Sequence, residues 1–268
     1  MMKTLSRLAA VSLIAATALA PQAFAQTLTK RVAAASDRSV QFSFPVKPGI
    51  CGDGRTFISM GAGTFYGSYS GNSSEQCVAG PARVVADLAN GMVVGLRTYV
   101  GGPNPTIDAI TNLGTVTPAD ATDFLLGAAA RADGKVGRDA IFAAMLADGP
   151  DLSARLLEIG RDQNRPLETR RAALGALGRS DAAQLDRVGA ALVQIATNEN
   201  DVQQVRSAAL SVLARLDRGA GIQPLIQLAS GNMTSWVGRE SMTVLARSGD
   251  PRARQFLRST VQRTDVPD

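Results

Sequence analysis

The stretch Gln204–Asp217, QVRSAALSVLARLD, combines the apolar spacing of an amphipathic helix with an arginine near its start. Three more segments repeat this pattern: VGRDAIFAAMLADG at Val136–Gly149, ETRRAALGALGRSD at Glu168–Asp181 and VGRESMTVLARSGD at Val237–Asp250. The four segments superpose on arginines that lie 32, 36 and 33 residues apart, namely Arg138, Arg170, Arg206 and Arg239. A recurrence of this length predicts helical units that bury a core by stacking on one another.

The repeated segments are predicted to be the second helices of helix pairs. Other helical patterns lie between them, at Ala119–Arg131, Leu152–Asp162, Ala183–Thr197, Gly221–Ser230 and Arg252–Gln262. The sequence therefore predicts about four helix pairs and a terminal helix over residues 118–268. Five residues before three of the arginines stand Asp133, Asp201 and Thr234. We expect them to cap the second helices, because their side chains accept backbone N–H bonds.

Two segments carry a resemblance to a known repeat family. DVQQVRSAALSVLARLD, at residues 201–217, resembles the second helix of a short HEAT repeat, which begins with Asp, then Val-Arg, then small residues. VGRESMTVLARSGDPRARQFL, at residues 237–257, is similar. The resemblance covers roughly residues 118–263 and implies an α-solenoid whose second helices line a concave surface. Such surfaces commonly bind proteins or peptides, so the resemblance implies binding and leaves catalysis undefined.

The resemblance also implies roles for the four repeated arginines. In this family the arginine and an acidic residue of the preceding turn often form a ladder from repeat to repeat, which here involves acids such as Asp133 and Asp201. Alternatively, a column of arginines on one face can bind an anionic ligand bidentately. Trp236 starts the last repeated helix and is either a packing residue or an interface anchor. The candidate binding residues are therefore Arg138, Arg170, Arg206, Arg239 and Trp236.

A different pattern precedes the helices. Over residues 39–105 the hydrophobic period is two, and glycine-rich turns separate the runs. Two β-rich runs flank Asn90-Gly91, a pair that tolerates the positive φ angles of a type I′ turn, so a hairpin is predicted there. We predict a small antiparallel β module at 39–105, an N-terminal segment at 26–38 and a linker at 106–117.

The beginning of the chain indicates export. Residues 1–25 have a positive start, an apolar run and the small-x-small pattern Ala23-Phe24-Ala25 that signal peptidases cleave. The apolar run is shorter than the roughly 20 residues that a membrane-spanning helix needs. We therefore expect a signal peptide at 1–25, no stable membrane insertion, and a periplasmic or secreted mature chain that starts at Gln26.

Export determines how the two cysteines are interpreted. An oxidising compartment lets thiols pair, and Cys51 and Cys77 are the only cysteines, so they are predicted to form a disulfide within the β module. A bridge that closes a loop of about 25 residues stabilises the fold by about 3 kcal/mol in the chain-entropy model.

The composition excludes several kinds of chemistry. The chain contains no histidine, which removes Ser-His-Asp and Cys-His catalysis, histidine bases and histidine-ligated zinc. Two cysteines cannot complete a zinc site, so no metal and no cofactor are expected. The formal charge is +5, but the two signs are interspersed along the helices, which argues against a nucleic-acid partner.

Two classes of function stay open at this stage. The leading expectation is a non-enzymatic interaction or scaffold protein of the bacterial cell envelope, with a protein or peptide partner. The alternative is a hydrolase or binder of envelope polysaccharide, because Asp53 and Glu75 lie near the cysteines and paired carboxylates can hydrolyse glycosides. Asp53 stands between two glycines, however, which is typical of a turn.

Overall fold

The computed structural model describes residues 26–55, 57–60, 65–67, 77–102, 110–132 and 134–262. The predicted signal peptide at 1–25 lies outside the described residues, as do Glu75 and Asp133. The described helices are α1 Leu28–Ala34, α2 Pro118–Ala129, α3 Gly134–Leu146, α4 Ser153–Arg161, α5 Leu167–Leu177, α6 Leu185–Thr197, α7 Gln203–Leu213, α8 Ile222–Gly231, α9 Trp236–Ser248 and α10 Pro251–Val261. The described strands are β1 Ser39–Phe44, β2 Cys51–Gly52, β3 Phe57–Ser59, β4 Phe65–Gly67, β5 Val78–Ala79, β6 Ala82–Ala89, β7 Met92–Val100 and β8 Thr111–Thr115.

The first sheet of the β module has the strand order β7-β6-β1-β8. Strands β6 and β7 form the predicted hairpin, joined by two residues whose φ angles are both positive: 52° at Asn90 and 74° at Gly91. This is the backbone that a type I′ turn requires, and it confirms the hairpin prediction. The sheet is not wholly antiparallel, because β8 pairs parallel to β1.

The second sheet is antiparallel, with the strand order β4-β3-β2-β5. Cys51 lies on β2, and Cys77 immediately precedes β5, the neighbour of β2. The two residues form a disulfide with a Cα–Cα distance of 5.2 Å, as predicted. The bridge thereby fixes two very short strands that supply few backbone hydrogen bonds of their own.

Within the part of residues 118–262 that the structure describes, the helices form four pairs and a terminal helix, as the repeat pattern predicts. Each first helix packs on the second helix that follows it, in the pairs α2–α3, α4–α5, α6–α7 and α8–α9. The second helices α3, α5, α7 and α9 also pack on one another in that order, which makes one continuous layer. Glycines permit close approach: a Cβ atom on Gly137 would lie 2.3 Å from Thr169 Oγ1, and one on Gly160 would lie 2.6 Å from Leu174 Cδ2.

The β module packs directly on the first helix pair. Phe42 of β1 meets Phe124 of α2 edge to face, with ring centroids 5.5 Å apart, and both side chains are buried. Two backbone hydrogen bonds join the parts, from Lys47 N to the Leu146 carbonyl at 2.9 Å and from Asp148 N to the Pro45 carbonyl at 3.2 Å. One hydrophobic core therefore runs from the module into the repeats, and the module covers the first pair as a cap.

Segment 106–117, predicted as a linker, contributes to this packing. Its described part contains β8, and Val116 N donates to the Ser43 carbonyl at 2.8 Å. Parallel pairing between strands that are distant in the sequence leaves no local turn signal, which is why the pattern does not predict the pairing of this segment with β1.

The predicted caps at Asp201 and Thr234 are wrong. Helix α9 is capped by Ser235, whose hydroxyl accepts a hydrogen bond from Gly238 N at 3.0 Å. Helix α7 begins one residue later than the cap prediction requires, with Val202 at its N-cap. The carboxylate of Asp201 is instead directed to the preceding repeat.

Candidate partner-binding groove

Arg170 and Asp201 form a buried ion pair between successive repeats. Arg170 Nη1 donates to Asp201 Oδ1 at 2.8 Å, and Nη2 donates to Oδ2. The two side chains are 3% and 4% exposed. Arg170 Nε also donates to the Gly160 carbonyl at 3.1 Å, so its guanidinium is committed to contacts within the protein. A bidentate pair of this kind fixes the orientation of one repeat relative to the next.

The environment of Asp201 affects its acidity. Burial raises the pKa of the carboxyl, but hydrogen bonds from Arg170 and from Val202 N, together with the charges of Arg170 and Arg206, lower it more strongly. The pKa of Asp201 therefore lies below its usual value.

Arg206 occupies the equivalent place in the next repeat, with a different partner. Its Nε donates to the Ala196 carbonyl at 3.0 Å, ten residues earlier, just as Arg170 donates to Gly160. Arg170 pairs with the carboxylate of Asp201 in the following repeat, whereas Arg206 contacts Trp236 of the repeat that follows it. The ring centroid of Trp236 lies 4.7 Å from Arg206 Cζ. Trp236 is half-buried against the core. A cation–π contact thus takes the place of an ion pair between these two repeats.

The two other repeated arginines lie at the surface. Arg138 is half-exposed, 3.4 Å from Asp139 and 3.8 Å from Glu168 of the next repeat. Arg239 donates to the Thr234 carbonyl. The four arginines therefore do not form one accessible column, because the side chain of Arg170 is buried.

A groove of about 820 Å³ crosses the layer of second helices. We call it the central groove; it is lined by residues of α3, α5 and α7 and by residues that adjoin them, namely Arg138, Glu168, Arg171, Ala172, Gly175, Gln203, Gln204, Ser207, Ala208, Ser211, Val212 and Arg215. Small residues at Ala172, Gly175 and Ala208 leave the space open. Most of the remaining lining is polar or charged, so the groove is suited to hydrogen bonds and ion pairs with a ligand.

A smaller cavity of about 390 Å³ adjoins the central groove and shares Arg138, Ala172, Gly175 and Arg215 with it. We call it the apolar pocket; its remaining lining residues are Ile141, Phe142, Met145, Ala176, Gly178 and Arg179. Arg179 Nη1 also lies 3.5 Å from Met60 Sδ, so the β module borders the pocket. Polar and apolar surfaces therefore meet in one continuous depression.

Of the predicted candidates, only Arg138 lines the central groove. The exposed arginines that the sequence reasoning missed are Arg171, Arg179 and Arg215. A signal for two of them exists in the sequence, because Arg179 and Arg215 each stand nine residues after a repeated arginine. Both follow the last turn of a helix, where a positive charge also interacts favourably with the helix dipole.

The described residues give no support for the predicted pairing of Asp53 with Glu75 in a hydrolytic site. Asp53 Oδ1 accepts hydrogen bonds from Arg55 N at 2.7 Å and from Phe57 N at 3.1 Å, which is the geometry of a side chain that stabilises a turn. Glu75 lies outside the described residues.

Within the described ranges there is no group of three or more potential acidic, cysteine or histidine metal ligands. In the same ranges, no helix has both the length and the apolar character needed to cross a bilayer.

Comparison with known families agrees with the repeat architecture. The family model for HEAT repeats matches residues 189–268, a span that includes most of α6 and all of α7 to α10. No curated protein and no solved structure matches the chain significantly. The chain thus carries HEAT-like repeats, a class that generally mediates protein–protein interaction and is typically non-enzymatic.

Proposed function

We propose that this chain is a non-enzymatic scaffold protein that binds a protein partner in the central groove. The observation that carries the proposal is the position of the groove, which lies on the layer of second helices that the HEAT resemblance assigns to partners. The groove extends across three neighbouring helices, α3, α5 and α7, which are 13, 11 and 11 residues long.

The rigidity of the surrounding structure supports this function. The buried Arg170–Asp201 pair links two of the three groove helices, and the absence of a side chain at Gly137 permits α3 to approach Thr169 of α5 closely. A preformed site binds without a large cost for ordering its own side chains and loops. A peptide or protein edge therefore meets a groove that is already open.

We place this function in the bacterial envelope, in the periplasm or outside the cell. The signal-peptide pattern at 1–25 supports export, and a Cys51–Cys77 disulfide fits an oxidising compartment. Export is tested by expressing the full chain with a tag and sequencing the N-terminus of the mature product. We expect it to begin at Gln26, whereas an intact N-terminus in the cytoplasmic fraction contradicts this placement.

Gly175 offers a clean test of the groove. A Cβ atom there meets nothing within 4 Å, and the residue lines both the central groove and the apolar pocket. The side chain of Gly175→Trp therefore starts in open space, and its ring adds bulk where the two cavities meet. Gly231 is the matched control, because it too is exposed with open space around it but lies at the end of α8, outside the groove.

The experiment is affinity capture from a cell-envelope extract with the mature chain and both variants as baits. We expect a protein that the native chain and Gly231→Trp retain and Gly175→Trp loses. Retention of every captured protein by a folded Gly175→Trp variant contradicts binding in the groove.

A further inference from the structure

We infer that the central groove binds an extended acidic segment of a partner protein, in which an apolar residue lies between two carboxylates. This inference rests on the proposed function and adds the chemistry of the partner. It comes from the arrangement of charge, spacing and apolar surface in the central groove and the apolar pocket.

The charge of the depression is positive. Four arginines line the central groove and the apolar pocket, whereas Glu168 is the one carboxylate among the residues that line these two cavities. Arg138 lies 3.8 Å from Glu168 and partly offsets it, which leaves Arg171, Arg179 and Arg215 as the excess. These three side chains are exposed. Exposed guanidinium groups in a groove favour carboxylates, which they bind through two parallel hydrogen bonds.

The spacing of the charges fits an extended peptide. Arg171 corresponds to Ser207 in the repeat superposition, and Arg215 stands eight residues beyond Ser207. The two arginines are therefore separated by about 12 Å along the helices and about 9 Å between neighbouring helices, or about 15 Å in all. An extended chain advances about 3.3 Å per residue, so two glutamates four residues apart span about 13 Å, and their flexible side chains cover the remainder.

The apolar pocket supplies the third element. Phe142, Met145 and Ile141 line it, and it shares Arg138 and Arg215 with the central groove. A leucine or phenylalanine side chain that enters this pocket lies beside three of the four arginines, because Arg138, Arg179 and Arg215 also line the pocket. A polyanion without apolar groups leaves the pocket unused, so the combination favours an acidic protein segment over an anionic polysaccharide or nucleic acid.

The test uses the mature chain and fluorescein-labelled peptides. The probe contains the sequence Glu-Ser-Leu-Ser-Glu within Gly-Ser flanks, and the matched peptides replace both Glu by Gln or the Leu by Ser. We expect the probe to bind at least about tenfold more tightly than either matched peptide at low salt, and to weaken as salt is raised.

Charge reversals identify the site. Arg171→Glu and Arg215→Glu are each expected to weaken binding of the probe by about tenfold or more, because each replaces an attraction with a repulsion. Arg187→Glu is the control, since Arg187 is exposed on α6, the first helix of the α6–α7 pair, and lines neither cavity. We measure the variants at about 0.15 M salt and expect this variant to bind the probe within about twofold of the native chain, because a distant charge is screened at that ionic strength.

Several results overturn the inference. If the peptide with Gln in place of both Glu binds as tightly as the probe, the carboxylates do not contribute to binding. If the peptide with Ser in place of Leu binds as tightly as the probe, the apolar pocket does not contribute. Equal losses in Arg187→Glu and Arg171→Glu show that net charge alone controls binding. If Gly175→Trp loses its captured partner while Arg171→Glu and Arg215→Glu retain it, the acidic-segment inference fails and the groove function stands. If Gly175→Trp retains all partners, the proposed function itself fails.

Discussion

Arg170 on α5 and Asp201, in the loop before α7, are joined by two parallel hydrogen bonds in a site where both side chains are almost fully buried. A buried charge is costly to desolvate, and here each charge is stabilised by the other and by backbone groups. The pair therefore acts as a joint between two repeats. Arg170, which forms this joint, is one of the four arginines that recur in the repeated segments.

Breaking this pair by removing one partner is expected to destabilise the fold strongly. Arg170→Met leaves the buried carboxylate of Asp201 without its ion-pair partner, so we expect a loss of about 3 to 5 kcal/mol in the free energy of unfolding. Arg155→Met is the control, because Arg155 also bridges two repeats, to Asp123, but both side chains are well exposed. We expect this surface variant to lose about 1 kcal/mol or less. Urea unfolding followed by circular dichroism measures both values, and equal losses contradict the account.

The same pair makes stability depend on pH. Because the pKa of Asp201 in the folded chain is lower than its usual value, the stabilisation that follows from this shift is fully present above the unfolded pKa of about 3.9 and is lost as the pH falls through the folded pKa. We compare the native chain with Asp201→Asn from pH 7 down to pH 2. The native chain is expected to be more stable at neutral pH, with a difference that shrinks below about pH 4. A difference that is constant over this range argues against the pKa shift.

The cation–π contact gives a prediction for the next junction. Arg206→Met removes the contact with Trp236 and the hydrogen bond to Ala196, so we expect a loss of about 1 to 2 kcal/mol. Trp236 is the single tryptophan of the chain, so its fluorescence reports on this junction. We expect the emission maximum to change in Arg206→Met and to stay unchanged in Arg155→Met. Unchanged stability with lost partner binding contradicts the structural role and supports the ligand-binding alternative for Arg206.

The disulfide is expected to stabilise the β module more than the repeats. Cys51→Ser combined with Cys77→Ser removes a bridge that closes a loop of about 25 residues, with an expected loss of about 3 kcal/mol for the module. Hydrogen exchange followed by mass spectrometry resolves the location of the change. Protection is expected to fall in β2, β3 and β5 and to persist in α6 to α10. Unchanged protection of the second sheet after reduction contradicts this role.

Removal of the module is expected to weaken the first repeat. The buried contact between Phe42 and Phe124 is lost in a chain that starts at Pro118, and α2 and α3 then expose part of their core surface. We expect the midpoint of thermal unfolding to fall, with exchange increasing first in α2 and α3. The last repeats serve as the internal control, because among the described residues the main contacts of the module's strands with the repeat helices are to α3. If α2 in the shortened chain stays as protected from hydrogen exchange as in the mature chain, the module does not stabilise the first helix pair as a cap.

Much of the architecture was predictable from local patterns. The repeated arginines located the second helices, because helical periodicity and a constant unit length are properties of short segments. The hairpin at Asn90-Gly91 was predictable for the same reason, since the two turn residues determine the backbone conformation. The prediction of the Cys51–Cys77 bridge required only the count of cysteines and the expectation of export.

Features that depend on distant contacts were not predictable in this way. The parallel pairing of β8 with β1 joins residues about 70 positions apart, and the split into two sheets has no sequence period. The cap predicted at Asp201 was misplaced because the carboxylate of Asp201 pairs with Arg170 of the preceding repeat, a contact that the local sequence does not show. The central groove depends on which arginines remain exposed after stacking, and neighbours such as Arg170 and Arg171 differ only in the direction of their side chains.

Photo-cross-linking shows directly whether a protein partner occupies the central groove. A benzoyl-phenylalanine replaces Gln204, which is exposed in the groove, or Arg187, which is exposed on α6, and the mature chain is irradiated in an envelope extract. We expect a discrete protein adduct from position 204 that is absent from position 187 and is lost when Gly175→Trp is added. Adducts of equal yield from both positions, or an adduct at 204 that persists in Gly175→Trp, contradict it.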